Sequence, residues 1–298
     1  MLIVSNLEKT YPVKGGGFTA VADMSFSVEK GELFSIVGPS GAGKTTLLRC
    51  IAGLDRPTSG SVTFQGRRVD GPPLDFAVVF QDYARSLLPW ITVAKNVELP
   101  LMKNGISTAD RRERVARALD EVGLAEAAHK KPFQLSGGMQ QRVAIARAIA
   151  YRPAVLIMDE PFASVDAQTR ADLEDLLLRV RDETGTTVLF VTHDVDESVY
   201  LSHRVAIVTR SPSCVAEIVD IDLPDRRDQI ETKSLPEFAR LRAHVFGRIR
   251  EMVRNDANLV SAQHEMMRSN DVRTTFPRRA LWCRRVGRRG ADGVRRWR

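Results

Sequence analysis

One octet limits what this chain can fold into more than any other feature: Gly38-Pro39-Ser40-Gly41-Ala42-Gly43-Lys44-Thr45 fits G-x-x-x-x-G-K-[ST]. It follows the short apolar run Leu33–Val37 and opens Lys44–Gly53, where Leu47, Leu48, Ile51 and Leu54 have helical spacing. A strand, a glycine-rich turn and a helix in that order make a phosphate cradle. The glycines let successive backbone N–H groups point inward, and the helix brings its positive end to the same place. Lys44 supplies a mobile positive charge for the β- and γ-oxygens, and the Thr45 hydroxyl is a ligand for Mg²⁺. Gly38, Ser40, Gly41, Gly43, Lys44, Thr45 and Thr46 are the candidate nucleotide-binding residues. A glycine-rich turn with a chance lysine would not need the flanking strand and helix.

A second element complements the first. Val155-Leu156-Ile157-Met158 is an apolar strand that ends in Asp159-Glu160. A carboxylate at a strand's C-terminal end lies near the neighbouring phosphate loop, where it can hold Mg²⁺ directly or through water. Adjacent strand residues point opposite ways, so one acid can serve the metal while the other faces an attacking water. Alone, such a strand end is weak; beside a phosphate loop it points to chemistry.

The remaining pattern is that of an α/β chain. Val21–Glu29 alternates with one wet face, and Ser61–Phe64, Phe76–Phe80, Val155–Met158, Thr187–Val191 and Arg204–Thr209 read as strands. A helix carrying Leu173, Leu176, Leu177 and Val180 separates two of them. Strands alternating with helices predict a mostly parallel sheet covered on both faces. Residues from about 82 to 150 hold no convincing strand and read as a helical insertion, with Val115, Leu119 and Val122 on one helix and Met139–Ala150 on another. Pro236–Met252 reads as an appended helix with Phe238, Leu241, Val245 and Ile249 on one face.

Charge and composition remove several alternatives. The net charge of +7 invites a nucleic-acid reading, yet residues 273–298 hold ten Arg against one acid, Asp292, and the other 272 residues carry 34 Lys+Arg against 36 Asp+Glu. The basic balance belongs to the tail. That tail reads as disordered or as GC-rich sequence translated out of frame, against the alternative of an RNA or anionic-membrane contact. No apolar run exceeds five residues, as in Ala154–Met158, where a spanning helix needs about 20, and the first residues lack the pattern of a signal peptide. Cys50, Cys214 and Cys283, odd in number and without C-x-x-C spacing, support neither a disulfide framework nor a zinc site, and suggest a reducing compartment.

Leu135-Ser136-Gly137-Gly138-Met139-Gln140-Gln141-Arg142 turns the question from which nucleotide to which machine. The L-S-G-G-x-Q-Q-R octet resembles the signature of ATP-binding cassette (ABC) transporter ATPases; Ser136 is also a plain helix N-cap, which does not require the octet. The resemblance covers roughly residues 1–225. It implies a P-loop ABC cassette with a mostly parallel core sheet, an N-terminal antiparallel β-subdomain and the helical insertion at about 82–150. A helical extension over 226–262 and the Arg-rich tail over 263–298 follow. Gln81 resembles the glutamine that touches metal and water, His193 the switch histidine at the γ-phosphate, and Asp166 the aspartate that crosses between subunits. Tyr11, after the first strand, resembles the aromatic that stacks on adenine, although such a tyrosine equally fits a core edge. Ala163-Ser164-Val165 departs from the commoner small-Ala-Leu before the aspartate.

The resemblance implies ATP and Mg²⁺ as cofactors. Glu160 is then the general base or water positioner, with Asp159, Thr45 and Gln81 around the metal. Ser136, Gly137, Gly138 and Gln140 would complete the nucleotide site of a second copy in a homodimer of cassettes. The chain would sit at the cytoplasmic face of the membrane and drive a separate transmembrane permease, and through it a solute-binding protein. It would bind no specific nucleic acid. The helical insertion from Gln81 to about Glu98 is the expected docking surface, and within it Phe80–Trp90, with Thr92-Val93 and Asn96-Val97, resembles the nitrate/sulfonate/taurine importer branch. An exporter or lipid-moving cassette, and a soluble cassette acting on nucleic acid or ribosomes, are the competing readings.

Overall fold

The computed structural model describes residues 1–82, 86–103 and 105–268, with side chains, apart from that of Lys103, followed to Arg254. Two sheets share the strand residues. A four-stranded antiparallel sheet, in the order β2-β1-β4-β5, holds β1 (Leu2–Val13), β2 (Gly16–Val28), β4 (Ser59–Phe64) and the two-residue β5 (Arg67–Arg68). A six-stranded sheet runs β10-β9-β3-β8-β7-β6, built from β3 (Leu33–Val37), β6 (Phe76–Val79), β7 (Val155–Asp159), β8 (Thr187–Thr192), β9 (Arg204–Val208) and β10 (Val215–Asp220). Its pairs are parallel except β9–β10.

The central strands are apolar on both faces because both are covered. Phe34 and Ile36 of β3, Val155 and Ile157 of β7 and Leu189 and Val191 of β8 pack with α1 (Lys44–Ile51) and the antiparallel sheet. Leu33, Val37, Leu156, Met158, Val188 and Phe190 point the other way, into a core shared with α5 (Ala167–Thr184), α6 (Val195–Leu201) and the helical insertion. Each fully buried Leu, Ile or Phe adds roughly 1.5–3 kcal/mol, so the sheet is the rigid platform of the molecule.

The insertion contains α2 (Val93–Glu98), α3 (Thr108–Glu121) and α4 (Gly137–Tyr151), and its described residues hold no strand, as the sequence pattern predicts. α7 (Glu231–Ser234) and α8 (Pro236–Arg268) end the described residues. Phe238, Leu241 and Val245 are buried from α8, Ile249 packs against them, and the helix continues past 262 to Arg268. Residues 263–268, expected to belong to the arginine-rich tail, are thus part of α8, and the rest of that tail, 269–298, lies outside the described residues.

Several details differ from the sequence expectations. Tyr11 lies within β1, opposite Phe18 of β2, rather than after the first strand, because the hairpin is long and bulged. Leu54 lies beyond α1 and is exposed. The edge strand β10 was not anticipated: it is mostly half-buried, and Glu217 and Asp220 break any clear alternation. Cys50 is a buried free thiol.

Candidate functional site

Register brings the sequence-predicted residues to one edge of the sheet. Val37 pairs with Thr192, and Asp159 with Val191, so β3, β7 and β8 end together. The phosphate loop, the two acids and His193 therefore leave the sheet side by side, outside the carboxyl ends of parallel strands, where open α/β sheets place their ligands.

The loop is shaped by close approach as well as by conformational freedom. A Cβ on Gly38 would lie 2.7 Å from the Val208 carbonyl oxygen, and one on Gly43, at φ +74°, would lie 2.8 Å from that of Ala20. Ser40 and Gly41 form its exposed tip, and Thr46 is half-buried in the first turn of α1. The Lys44 ammonium turns back to donate to the Gly38 and Pro39 carbonyls at 2.9 and 3.2 Å. Burial lowers its pKa, an effect opposed by the charges of Glu160 and Asp159. Ser211, which the sequence did not single out, braces the loop from β9's far end: its hydroxyl lies 2.8 Å from the Gly41 carbonyl and 3.1 Å from that of Ala20. No local motif marks it; only the tertiary contact does.

The Thr45 hydroxyl donates to Oδ2 of Asp159 at 2.7 Å. Asp159 is buried, and burial raises its pKa against the opposing effect of that hydrogen bond. Among the described residues no three His, Cys, Asp or Glu cluster as a metal cage. A hydroxyl and one carboxylate instead fit Mg²⁺, which keeps waters and takes phosphate oxygens as its remaining ligands. Beside Asp159, Glu160 leaves the strand at φ +46°, and its N–H donates to the Val191 carbonyl at 2.8 Å. A non-glycine residue in that region costs about 1–3 kcal/mol and persists only where its surroundings enforce it. The turn aims the carboxylate so that Oε2 accepts from Gln81 Nε2 at 3.0 Å and meets His193 Nδ1 at 3.1 Å. Gln81 is not a strand residue, since β6 ends at Val79; it reaches Glu160 from the loop beyond.

Comparison with known proteins gives the family. An ABC transporter family model matches residues 21–163. An ABC transporter ATP-binding protein of Methanocaldococcus jannaschii, MJ0412, is 48% identical over 78% of this chain and 87% of its own length. The chain belongs to the ABC transporter family. The nitrate import ATP-binding protein NrtD of Synechococcus elongatus is 43% identical over 86% of its length. The bicarbonate transport ATP-binding protein CmpC of Synechocystis is also 43% identical, but this chain spans only 37% of that protein. Among solved structures, a dimeric post-hydrolysis state of the ATP-binding cassette MJ0796 bound to ADP and Pi is 34% identical with a TM-score of 0.68; it covers 74% of this chain, and this chain covers 99% of it.

The other ABC elements are placed as follows. Ser136 caps α4, its hydroxyl accepting from the Met139 N–H at 3.3 Å, and Ser136 and Gly137 are exposed at the helix start while Gly138 and Gln140 are half-buried. The Gln140 amide donates to the Leu135 carbonyl at 3.2 Å, and Gln141 donates to that of Pro161. These bonds hold the octet to its own surroundings and leave the exposed helix start facing outward. Asp166 caps α5, accepting from the Thr169 N–H at 3.0 Å, and is exposed. Tyr11 is half-buried, with the Lys9 ammonium 5.0 Å from its ring centroid and its hydroxyl 3.4 Å from Asp55.

Proposed function

We propose that this chain is the ATP-hydrolysing subunit of an importer, working as a homodimer of cassettes on the cytoplasmic face of a membrane and driving uptake of a small solute through a separate permease. The observation that carries the proposal is Glu160, whose carboxylate is held by Gln81 and His193 beside the phosphate loop. A general base has to lie within hydrogen-bond reach of the water it activates. A left-handed backbone and two side-chain partners fix Glu160 there before any substrate arrives.

Phosphoryl transfer to water is dominated by positioning and charge stabilisation. Lys44 exchanges its two carbonyl partners for phosphate oxygens, which draws its ammonium from the floor of the loop to the γ-phosphate. Thr45 and Asp159 would hold Mg²⁺, with Gln81 beside them, and the ion would supply charge neutralisation for the phosphates. Glu160 takes the proton of the attacking water, and His193 holds that carboxylate and meets the γ-phosphate. Tyr11 offers a ring for the base. The exposed Ser136 and Gly137, with Gly138 and Gln140 behind them, supply an anion site that their own chain does not use, and Asp166 stands on the same facing surface. That leaves a second copy as the natural occupant.

The permease meets the insertion between Gln81 and Glu98, where Pro89 and Trp90 are exposed, Trp90 at 67%. Among the described residues no helix is long and apolar enough to cross a membrane, so the pore belongs to that partner. A solute-binding protein takes part indirectly, and nucleic acid has no place in the cycle. The names of the relatives, nitrate and bicarbonate transport proteins, favour a small anion as solute. The test is ATPase assay of the purified chain, alone and with its permease in vesicles. Lys44→Ala is expected to lose both ATP binding and turnover, and wild-type ATP affinity in that variant would contradict the cradle.

A further inference from the structure

His193 lies between two residues that belong to a polar network reaching away from the site. Thr192, before it, donates its hydroxyl to Oε2 of Glu197 at 2.6 Å and accepts the Asp194 N–H at 3.0 Å. Asp194, after it, caps α6 by accepting the N–H groups of Asp196 and Glu197 at 2.8 and 3.2 Å. Glu197 is buried at 5% exposure. Facing it across the gap between helices is Arg170, in the first turns of α5, four residues after the Asp166 cap.

The side-chain contacts of Arg170, two across this gap and one to the loop before its own helix, are stretched. Its Nε stands 3.6 Å from Oε1 of Glu197, one Nη stands 3.5 Å from Oδ2 of Asp194, and the other stands 3.5 Å from the Val165 carbonyl. The Nε is a buried donor without a hydrogen-bond partner. Such a donor costs about 1–3 kcal/mol, and an N–H···O bond needs about 2.9 Å. A movement of about 0.7 Å between the loop of Asp166 and the loop of His193 would satisfy it.

We propose that Arg170 is a positioning residue for ATP hydrolysis: through Glu197 and Thr192 it ties the loop ending at Asp166 to the backbone of His193, and so sets the imidazole against Glu160. The inference rests on the proposed hydrolytic role of that site. It adds a link from the Val165–Asp166 surface to the reacting carboxylate, running within a single chain. The bland alternative is a brace between α5 and α6 that affects stability alone.

The experiment compares full-length wild type, Arg170→Met, Arg170→Lys and Thr192→Val by ATPase kinetics, thermal melting and NMR of the histidine ring protons, with His193 assigned by His193→Gln. The expected result for Arg170→Met is a kcat about tenfold lower with KM for ATP within about twofold. Arg170→Lys should regain at least half of the loss on a logarithmic scale. The His193 ring resonances should move in both Arg170→Met and Thr192→Val, while those of His129 on the insertion stay in place. Unmoved His193 resonances, a kcat within about twofold of wild type, or a loss of kcat that merely tracks the melting temperature would overturn the proposal. Should Arg170→Met fail to fold, Thr192→Val removes only one hydroxyl and carries the same two outcomes. The resonances are read without turnover, so a wild type that fails to hydrolyse ATP would contradict the proposed function and leave this test standing.

Discussion

The Thr45 hydroxyl and the Asp159 carboxylate meet at 2.7 Å across two elements that are remote in sequence, the start of α1 and the end of β7. The pair places two hard oxygen donors at one point beside the phosphate loop, one of them buried and raised in pKa by that burial. Asp159→Asn keeps the shape and removes the charge. It is expected to lower ATPase kcat/KM by about a hundredfold and to shift the Mg²⁺ dependence to higher concentration, as a magnesium titration of turnover would read. Unchanged magnesium dependence would remove Asp159 from the metal site.

Glu197 gives the fold a pH dependence of calculable sign. Burial pushes its carboxyl up to about 7 from the ordinary 4.5, the charges of Asp194 and Glu174 adding to burial, with the Thr192 hydrogen bond and Arg170 opposing it. Between those values the folded chain binds a proton that the unfolded chain has released, so stability falls as pH rises. The contribution is intact below about pH 4.5 and gone above about pH 7; it amounts to roughly 3 kcal/mol at most. Glu197→Gln cannot titrate. Melting curves from pH 5 to 8 should show wild type losing stability relative to this variant by several degrees, and parallel curves would contradict the assignment.

Ser211 holds the tip of the phosphate loop without touching the phosphates. Ser211→Ala should leave the melting temperature within about 3 °C and raise KM for ATP by about threefold to tenfold, because the Gly41 carbonyl loses its anchor. Steady-state kinetics and nucleotide titration read the effect directly.

What the sequence made legible follows from how local each requirement is. Gly38–Thr45 has to be contiguous to wrap a phosphate, and Ser136–Arg142 has to open a helix, so both were visible as strings. Parallel strands buried on both faces announce themselves as short apolar runs, and β3, β7 and β8 were found within a residue or so of their ends. The half-buried edge strand β10 carries no such signal. Neither does the left-handed turn at Glu160, which depends on the Val191 carbonyl of the neighbouring strand. Ser211 and Arg170 were invisible for the same reason: their partners lie on other elements, and nothing in the adjacent residues encodes the meeting.

The arginine-rich tail is expected to be dispensable, since the net basic charge is concentrated there while the phosphate loop, acids and octet all precede it. A chain ending at Arg268 should keep wild-type ATPase activity and permease binding, measured side by side with the full-length protein; a large loss of either would assign the tail a role.

Two copies of the chain enclosing ATP between Lys44 of one and Ser136 of the other is the central claim, and Glu160→Gln tests it most directly. That variant retains the cradle and lacks the base, so light scattering with ATP and Mg²⁺ should show its mass doubling, with nucleotide retained and turnover nearly abolished. The doubling should disappear when Ser136→Arg is added. A Glu160→Gln chain that binds ATP yet stays monomeric, with or without its permease, would contradict the account.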